Sequence, residues 1–470
     1  MIGATTITGK VALTWKQALA LVALAVASFH VAYGFSKCSF LIAVFLYCLC
    51  ALTRLATDRR AFYFGLTIGI LVYAPQLYFF YLIFGFAAIA LWSVLAFWLG
   101  LFLLLARQCR QRFPMTVTAL LIPFLWAGLE YFRSELYYFR FSWLNVGYVF
   151  SENPGLPFMK YLGVYGAGFV LMAIMAWVAL VRKRLLAVYA VCISLLAASL
   201  LLKNRSVSNE PGRNRIAVAG VQMEFPAQLE VPLMLDKLLQ QNPDAQLLVL
   251  SEYTFDGPVP DRVKDWCRKN HRYLIVGGKS PATEPQYYNT AFVIDPNGEI
   301  VFQQVKSVPI QFFKDGLPAK EQKVWDSPWG RIGICVCYDL SYARVTDELI
   351  RQGAQALIVP TMDVAEWGGH QHRLHARVAP VRAAEYGVPI FRVCSSGISQ
   401  LIGRSGHVIA TAPFPGDQAM IAGQLRLNEP GTRPFDRWLA PLAVFITVTA
   451  ILWLGISSRH RHLLIPNHKS

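Results

Sequence analysis

Charge is what this sequence is short of. Only 15% of its 470 residues are Asp, Glu, Lys or Arg, against roughly a quarter in a soluble globule. Acids are scarcest: 28 Asp and Glu face 44 Lys and Arg, a formal net charge of +16. No CxxC pair occurs and the nine cysteines are an odd number, which argues against a disulfide framework or a cysteine-ligated zinc site. No internal repeat or low-complexity tract is visible either, which excludes a repeat architecture. In place of charge there is apolar sequence. Hydrophobic residues make up 55% of the chain, crowded into two stretches with a more polar insert between them, the pattern of a membrane protein carrying a soluble domain.

A spanning helix needs about 20 mostly apolar residues. Segments 16–36, 39–56, 61–81, 84–106, 114–132, 159–181, 185–202 and 437–456 supply eight candidates, the second having the shortest clean core, Phe40–Leu52. The basic residues punctuate these spans, so topology explains the positive charge better than nucleic-acid binding does. With Lys10 and Lys16 cytoplasmic, every later cytoplasmic connection is basic: Arg54, Arg59 and Arg60; Arg107, Arg110 and Arg112; Arg182, Lys183 and Arg184. The first helix has no small-residue cleavage site after it and reads as uncleaved. Seven spans in residues 1–202 and a linker at 203–212 then place a domain at 213–430 outside. The eighth span, 437–456, returns the tail, 457–470, to the cytoplasm.

The insert reads as α/β. Ile216–Val221, Leu247–Leu250, Tyr273–Val276, Ile332–Val336 and Ala356–Val359 are short apolar runs of strand character, and Ala291–Asp295 and Glu299–Gln303 flank a Pro296-Asn297-Gly298 hairpin turn. Helical patterns fall near 229–241, 341–353 and 371–387.

Three segments end in reactive side chains. Leu247–Ser251 leads into Glu252, Lys306 lies just beyond the hairpin, and Gly333–Val336 leads into Cys337-Tyr338-Asp339. Singly, each has a plain reading: a solvated carboxylate, a surface lysine, a packed thiol. Cys335 is a rival nucleophile that a regular strand would put on the same face as Cys337; the strand-end position favours Cys337. His370, His372 and His375 form H-x-H-x-x-H, either a zinc site or a polar loop entering a helix; the loop is the default and no metal is expected. Glu130 is either a functional intramembrane acid or solvated at the interface. Trp143 and Tyr148 either line a lipid entrance or form an interfacial belt. Phe312, Phe313 and Trp367 either dip into lipid or pack in the core.

Together, Glu252, Lys306 and Cys337 in that order resemble the carbon–nitrogen hydrolase (nitrilase) superfamily, whose triad is Glu, Lys and Cys, and Gly333–Asp339 is similar to its G-x-x-x-C-Y-[DE] motif. The eight-span frame narrows the resemblance to the apolipoprotein N-acyltransferases. Phe141–Tyr148 is similar to their F-P-W-L-x-x-G-Y loop, Arg382–Glu385 to R-A-x-E, and Arg392–Gly397 to R-x-x-x-x-G. The resemblance implies an eight-helix bundle with an inserted nitrilase-like αββα sandwich, multi-pass in a bacterial inner membrane, the catalytic domain extracytoplasmic and no cofactor needed. It implies ping-pong acyl transfer: Cys337 attacks a phospholipid ester, and the amine of a diacylglyceryl-cysteine lipoprotein then takes the acyl group. Glu252 is then the general base and acid, with Lys306 and the Tyr338 backbone N–H stabilising the oxyanion. Substrate contacts are expected from Trp143, Tyr148, Phe312, Asp339, Trp367 and Glu385. Two departures stand out. The Lys306 segment is two residues shorter before Val-Pro, so the family's second glutamate is missing and Phe312 aligns with it; and Cys-Tyr-Asp replaces C-Y-E, nearer the soluble amidases. They keep open an alternative, a membrane-anchored hydrolase using the same triad with water as acceptor.

Overall fold

The structure, a computed structural model, describes residues 12–152, 156–181, 214–283 and 285–463. The expected seventh span at 185–202, the linker at 203–212, Lys10, and the tail from 464 on lie outside the described residues.

The helical half begins at α1 (Trp15–Gly34), opened by a capping box in which Thr14 accepts from the Gln17 N–H and the Gln17 side chain returns the bond. It continues through α2 (Ile42–Leu52), α3 (Asp58–Gln76), α4 (Phe79–Phe84), α5 (Ala87–Arg112), α6 (Met115–Tyr131) and α7 (Leu156–Leu180), and is completed after the insert by α13 (Asp436–Leu463). Trp15–Gly34, Ala87–Arg112, Met115–Leu136, Phe158–Leu180 and Asp436–Ser457 are each long and apolar enough to cross a membrane. The expected second span is the shorter apolar helix Ser36–Leu52. The expected third ends early, at Gln76. It packs on α5 through Gly65 and Gly69, whose Cα atoms abut the backbone at Leu99–Gly100 and Ala96. The expected fourth span, 84–106, is α5, and Gly85, at φ 55°, separates it from α4.

The insert folds as two six-stranded sheets, ordered β12-β1-β2-β3-β4-β5 and β11-β10-β9-β8-β7-β6. The first holds β1 (Asn214–Val221), β2 (Leu247–Val249), β3 (Tyr273–Pro281), β4 (Tyr287–Ile294), β5 (Ile300–Val305) and β12 (Met420–Leu427). The second holds β6 (Val324–Ser327), β7 (Gly330–Ile334), β8 (Ala356–Thr361), β9 (Ile390–Cys394), β10 (Ser399–Ile402) and β11 (Val408–Ala412). Val218, Val249 and Ile275 from one sheet meet Ile334, Ile358 and Phe391 from the other in a dry core. Outside the first sheet lie α8 (Glu230–Gln241) and α9 (Asp261–Asn270). Outside the second lie α10 (Ala343–Arg351), α11 (Gly368–Ala376) and α12 (Val378–Tyr386). Four layers result: helix, sheet, sheet, helix. The second helical layer also packs on the bundle, because Leu349, Val378 and Ala383 share one apolar core with residues of α1, α2 and α5–α7.

Candidate active site

The parallel strands β2, β7 and β8 point their C-terminal ends to one place. Past β2, Glu252 is 1% exposed. The chain can turn there because Gly277 of β3 lies directly beneath; a Cβ on it would come within 2.6 Å of Glu252 Cα. Past β5, Lys306 is fully buried. Past β7, Cys337 takes φ 51°, a left-handed conformation sparsely populated by residues other than glycine, at the start of a short 3-10 helix, Cys337–Ser341.

Lys306 Nζ lies 2.8 Å from Glu252 Oε1 and 2.7 Å from Asp315 Oδ2. Asn289 Nδ2 donates to both carboxylates, at 2.6 and 2.9 Å, and the Met362 N–H donates to Glu252 Oε2 at 2.8 Å. The Cys337 thiol donates to the Met362 carbonyl at 3.6 Å and feels the charge of the Glu252 carboxyl beside it. One ammonium therefore faces two carboxylates and a thiol in a dry site. Burial pushes Glu252 above its ordinary range, and Lys306 only partly offsets it. Burial would pull Lys306 down, but Asp315 and Glu252 hold it well above its usual value. Asp315 stays low because Lys306 outweighs its burial. Burial, reinforced by Glu252, keeps Cys337 a thiol until a base acts on it.

Asp315 corrects one expectation. The second carboxylate is not missing and Phe312 does not stand in its place. Phe312, at φ 70°, turns the loop so that Asp315 swings back onto Lys306, fixed by the Ile310 N–H at 2.7 Å and the Tyr253 hydroxyl at 2.8 Å. The nearest sequence signal was a carboxylate within ten residues of the lysine. Cys335, the rival thiol, packs in the core away from the site. β7 ends at Ile334, so alternation fails: Cys335 packs beneath the outer helices and Cys337 faces the inter-sheet core.

Above the thiol opens a cleft of about 840 Å³, counted to its open mouth. Its walls come from both halves: Phe79, Phe80 and Phe84 of α4 and Leu95 of α5, then Phe141 and Trp143 of the loop after α6, facing Phe312, Tyr338 and Trp367 of the insert. Phe312 stacks on Phe139 at 5.7 Å and meets Phe84 edge-on at 5.9 Å. Three expected substrate contacts lie elsewhere. Tyr148 is buried under the Arg382 guanidinium. Glu385 is locked to Arg382 at 2.5 Å and Arg437 at 3.2 Å; burial would raise its carboxyl, but the two arginines hold it at about 2. Asp339 is fully buried behind the nucleophile, accepting from the Ser307 and Val308 N–H groups at 3.0 and 2.7 Å, so it ties the Lys306 loop to the Cys337 turn. The histidines gather no metal set, and no such cluster occurs among the described residues: His370 bonds Gln76, His372 stacks on Phe414 and His375 bonds Asp363. Glu130 is buried and accepts from the Val146 N–H at 3.0 Å, so it braces the Trp143 loop rather than facing solvent.

Residues 233–428 match the carbon–nitrogen hydrolase family, so the insert is a catalytic domain of that class, carried on a membrane bundle. Residues 18–177 match the apolipoprotein N-acyltransferase N-terminal domain. With both halves matched, the chain belongs to the apolipoprotein N-acyltransferases, and it is a membrane N-acyltransferase. It is 26% identical to the apolipoprotein N-acyltransferase of Geobacter metallireducens over 79% of this chain and 82% of the relative, and 27% identical to that of Azotobacter vinelandii over 78% and 80%. The deaminated glutathione amidase of Dictyostelium discoideum is 29% identical over 33% of this chain and 62% of its own. Among solved structures, a nitrilase-superfamily protein of branch 10 from Saccharomyces cerevisiae is 20% identical over 46% of this chain and 92% of its own, with a TM-score of 0.39.

Proposed function

We propose that the protein transfers an acyl chain from a phospholipid, through a thioester on Cys337, to the N-terminal amine of a diacylglyceryl-cysteine lipoprotein. One observation carries this reading: the thiol held beside the buried carboxylate and ammonium lines an apolar cleft, one wall of which is α5, a helix long and apolar enough to cross a membrane. Glu252 takes the thiol proton as Cys337 attacks the ester carbonyl. Lys306 has three N–H donors and spends two on Glu252 and Asp315; the third is for the developing oxyanion. The Tyr338 N–H, in the first turn of its 3-10 helix where such groups lack helical partners, is the second donor. Loss of one such donor typically costs about 2.7–4 kcal/mol of barrier. Glu252 then protonates the departing alcohol. The amine attacks the thioester, Glu252 accepts a proton from it, and the thiol is restored. An aromatic cleft keeps water from the thioester until the amine arrives. The basic connections between spans support a catalytic domain on the extracytoplasmic side of a bacterial inner membrane.

The test is intact-protein mass spectrometry of the full chain in phospholipid vesicles. An acyl adduct on Cys337 should form, persist without acceptor, and vanish on adding a diacylglyceryl-cysteine peptide that becomes N-acylated; Cys337→Ala should form none. Absence of the adduct in the unaltered protein sinks the reading. Likeness of the catalytic domain to an amidase favours a second one, hydrolysis, under which the adduct would decay in water without the peptide.

A further inference from the structure

His375, on α11, lines the same cleft as Cys337. Its ring lies flat on the Trp143 indole, centroids 4.6 Å apart at 15°, and its Nδ1 is 2.8 Å from Asp363 Oδ1. Burial would raise the Asp363 carboxyl, but His375 and Arg392 hold it well below its usual range, so it is a carboxylate and has no proton to give. The proton in that bond therefore sits on Nδ1, and Nε2 keeps its lone pair. Arg392 Nη2 donates to Asp363 Oδ2 at 2.7 Å and its second N–H competes for Nδ1 from 2.9 Å; the charge-assisted bond from the ring to the carboxylate decides the tautomer. Among the described residues no hydrogen bond reaches Nε2. The dyad also shares a loop with the triad: Met362, the residue before Asp363, donates its N–H to Glu252 and offers its carbonyl to the Cys337 thiol.

The acceptor arrives with one proton too many. A terminal α-amine has a pKa of about 7.7–8.0 and is largely an ammonium at neutral pH, without a lone pair to attack. Glu252 can take the proton released during attack, but the first must leave earlier. Resting on the acyl-transfer reading above, we propose that His375 Nε2, oriented by Asp363, takes this first proton and is the entry base of the second half-reaction alone. One ammonium N–H bond breaks, its proton moves to Nε2, and its electron pair stays on nitrogen. That pair forms the amide bond as the carbonyl–sulfur bond breaks. The second amine proton passes through Glu252 to the Cys337 thiolate, and the imidazolium gives its proton to water. Burial lowers His375, Asp363 partly offsetting it, so the ring enters the cycle neutral. The charged and titratable groups around it are Asp363, Arg392 and His372, with Cys337, Tyr338 and Arg140 across the cleft.

The full chain in phospholipid vesicles separates the two halves: acyl-Cys337 formation by intact mass, and its discharge by either a diacylglyceryl-cysteine peptide or hydroxylamine, a neutral nucleophile that needs no entry base. His375→Gln can keep the Asp363 contact through its amide but has no base. It should acylate at the unaltered rate and discharge to hydroxylamine equally. It should transfer to peptide about 10- to 100-fold more slowly near pH 6.5, the gap closing toward about pH 9, where the amine is neutral unaided. An equal loss at every pH, slowed acylation, slowed hydroxylamine discharge, or no loss at all overturns the proposal. The unaltered protein gives a second check if the variant does not fold. Peptide transfer, divided by hydroxylamine discharge, should hold up below the amine's own pKa; a tenfold fall per pH unit there overturns the assignment. If the unaltered protein forms no acyl-Cys337, the acyl-transfer reading itself has failed, and the entry base with it.

Discussion

At the scale of single residues, the site is a charge imbalance: two carboxylates share one buried lysine. Asp315 raises Glu252 by repulsion, and a base must be ionised to act. Activity should therefore rise with pH through a limb above the ordinary carboxylate pKa of about 4.3. Asp315→Asn should move that limb to lower pH while cutting kcat about a hundredfold, because Lys306 loses an anchor; a pH–rate profile for both proteins checks it. A limb that stays put in the variant would separate Asp315 from Glu252. Gly277→Ala should displace Glu252 and slow acyl-Cys337 formation at least about tenfold without weakening lipid binding, read by single-turnover acylation. Glu252 and Cys337 could be singled out in the sequence because each ends a strand-like apolar run, and Lys306 because it follows a hairpin between them in the chain. Asp315 and Asn289 were not. One is returned to the lysine by a left-handed residue in an irregular loop, and the other faces the site through cross-strand register, neither of which leaves a local pattern.

At the scale of elements, the break in α7 governs the junction. Gly163 adopts φ 71°, ψ 179°, a region open essentially to glycine alone, and a Cβ there would collide with the Asp436 carboxylate. Past the break, the freed N–H groups of Val164 and Tyr165 are capped by Glu385 and Asp436, at 3.1 and 3.0 Å. Gly163→Ala should cost about 1–3 kcal/mol from backbone strain before the clash is added, seen as a lower Tm in detergent; an unchanged Tm would mean that α7 straightens freely. Strands rich in branched apolar residues, such as β7 and β8, were readable. β6, β11 and β12 were not, because one face of each meets solvent and polar residues interrupt the run. The break between α3 and α4 left no mark for a related reason: the sequence stays apolar on both sides of Leu77.

At the scale of the molecule, bundle and insert are joined by buried ions. Arg382 and Arg437 hold Glu385, Arg437 reaches Asp347 at 2.7 Å, and Glu135 accepts from the Ala343 N–H at 3.0 Å. Glu385→Ala would take from the buried Arg382 guanidinium its close carboxylate, Arg437 keeping Asp347 and Asp436, at a typical cost of about 3–5 kcal/mol. Limited proteolysis should then cut the variant faster at this junction, and equal protection would deny the network that role. The proposed orientation has its own check: a cysteine placed at Asp265, exposed on α9, should react with a membrane-impermeant maleimide in intact spheroplasts. The two-part plan of spans and insert was evident from composition, whereas the docking of one on the other depends on residues scattered from Glu135 to Arg437. The shared cleft has a practical corollary. Since α4, α5 and the Trp143 loop together supply half of its lining, the insert released as a soluble fragment would keep its triad yet lose the partition that gives the reaction its own compartment. A chimera with a relative's catalytic domain would need α4 and that loop exchanged as a set.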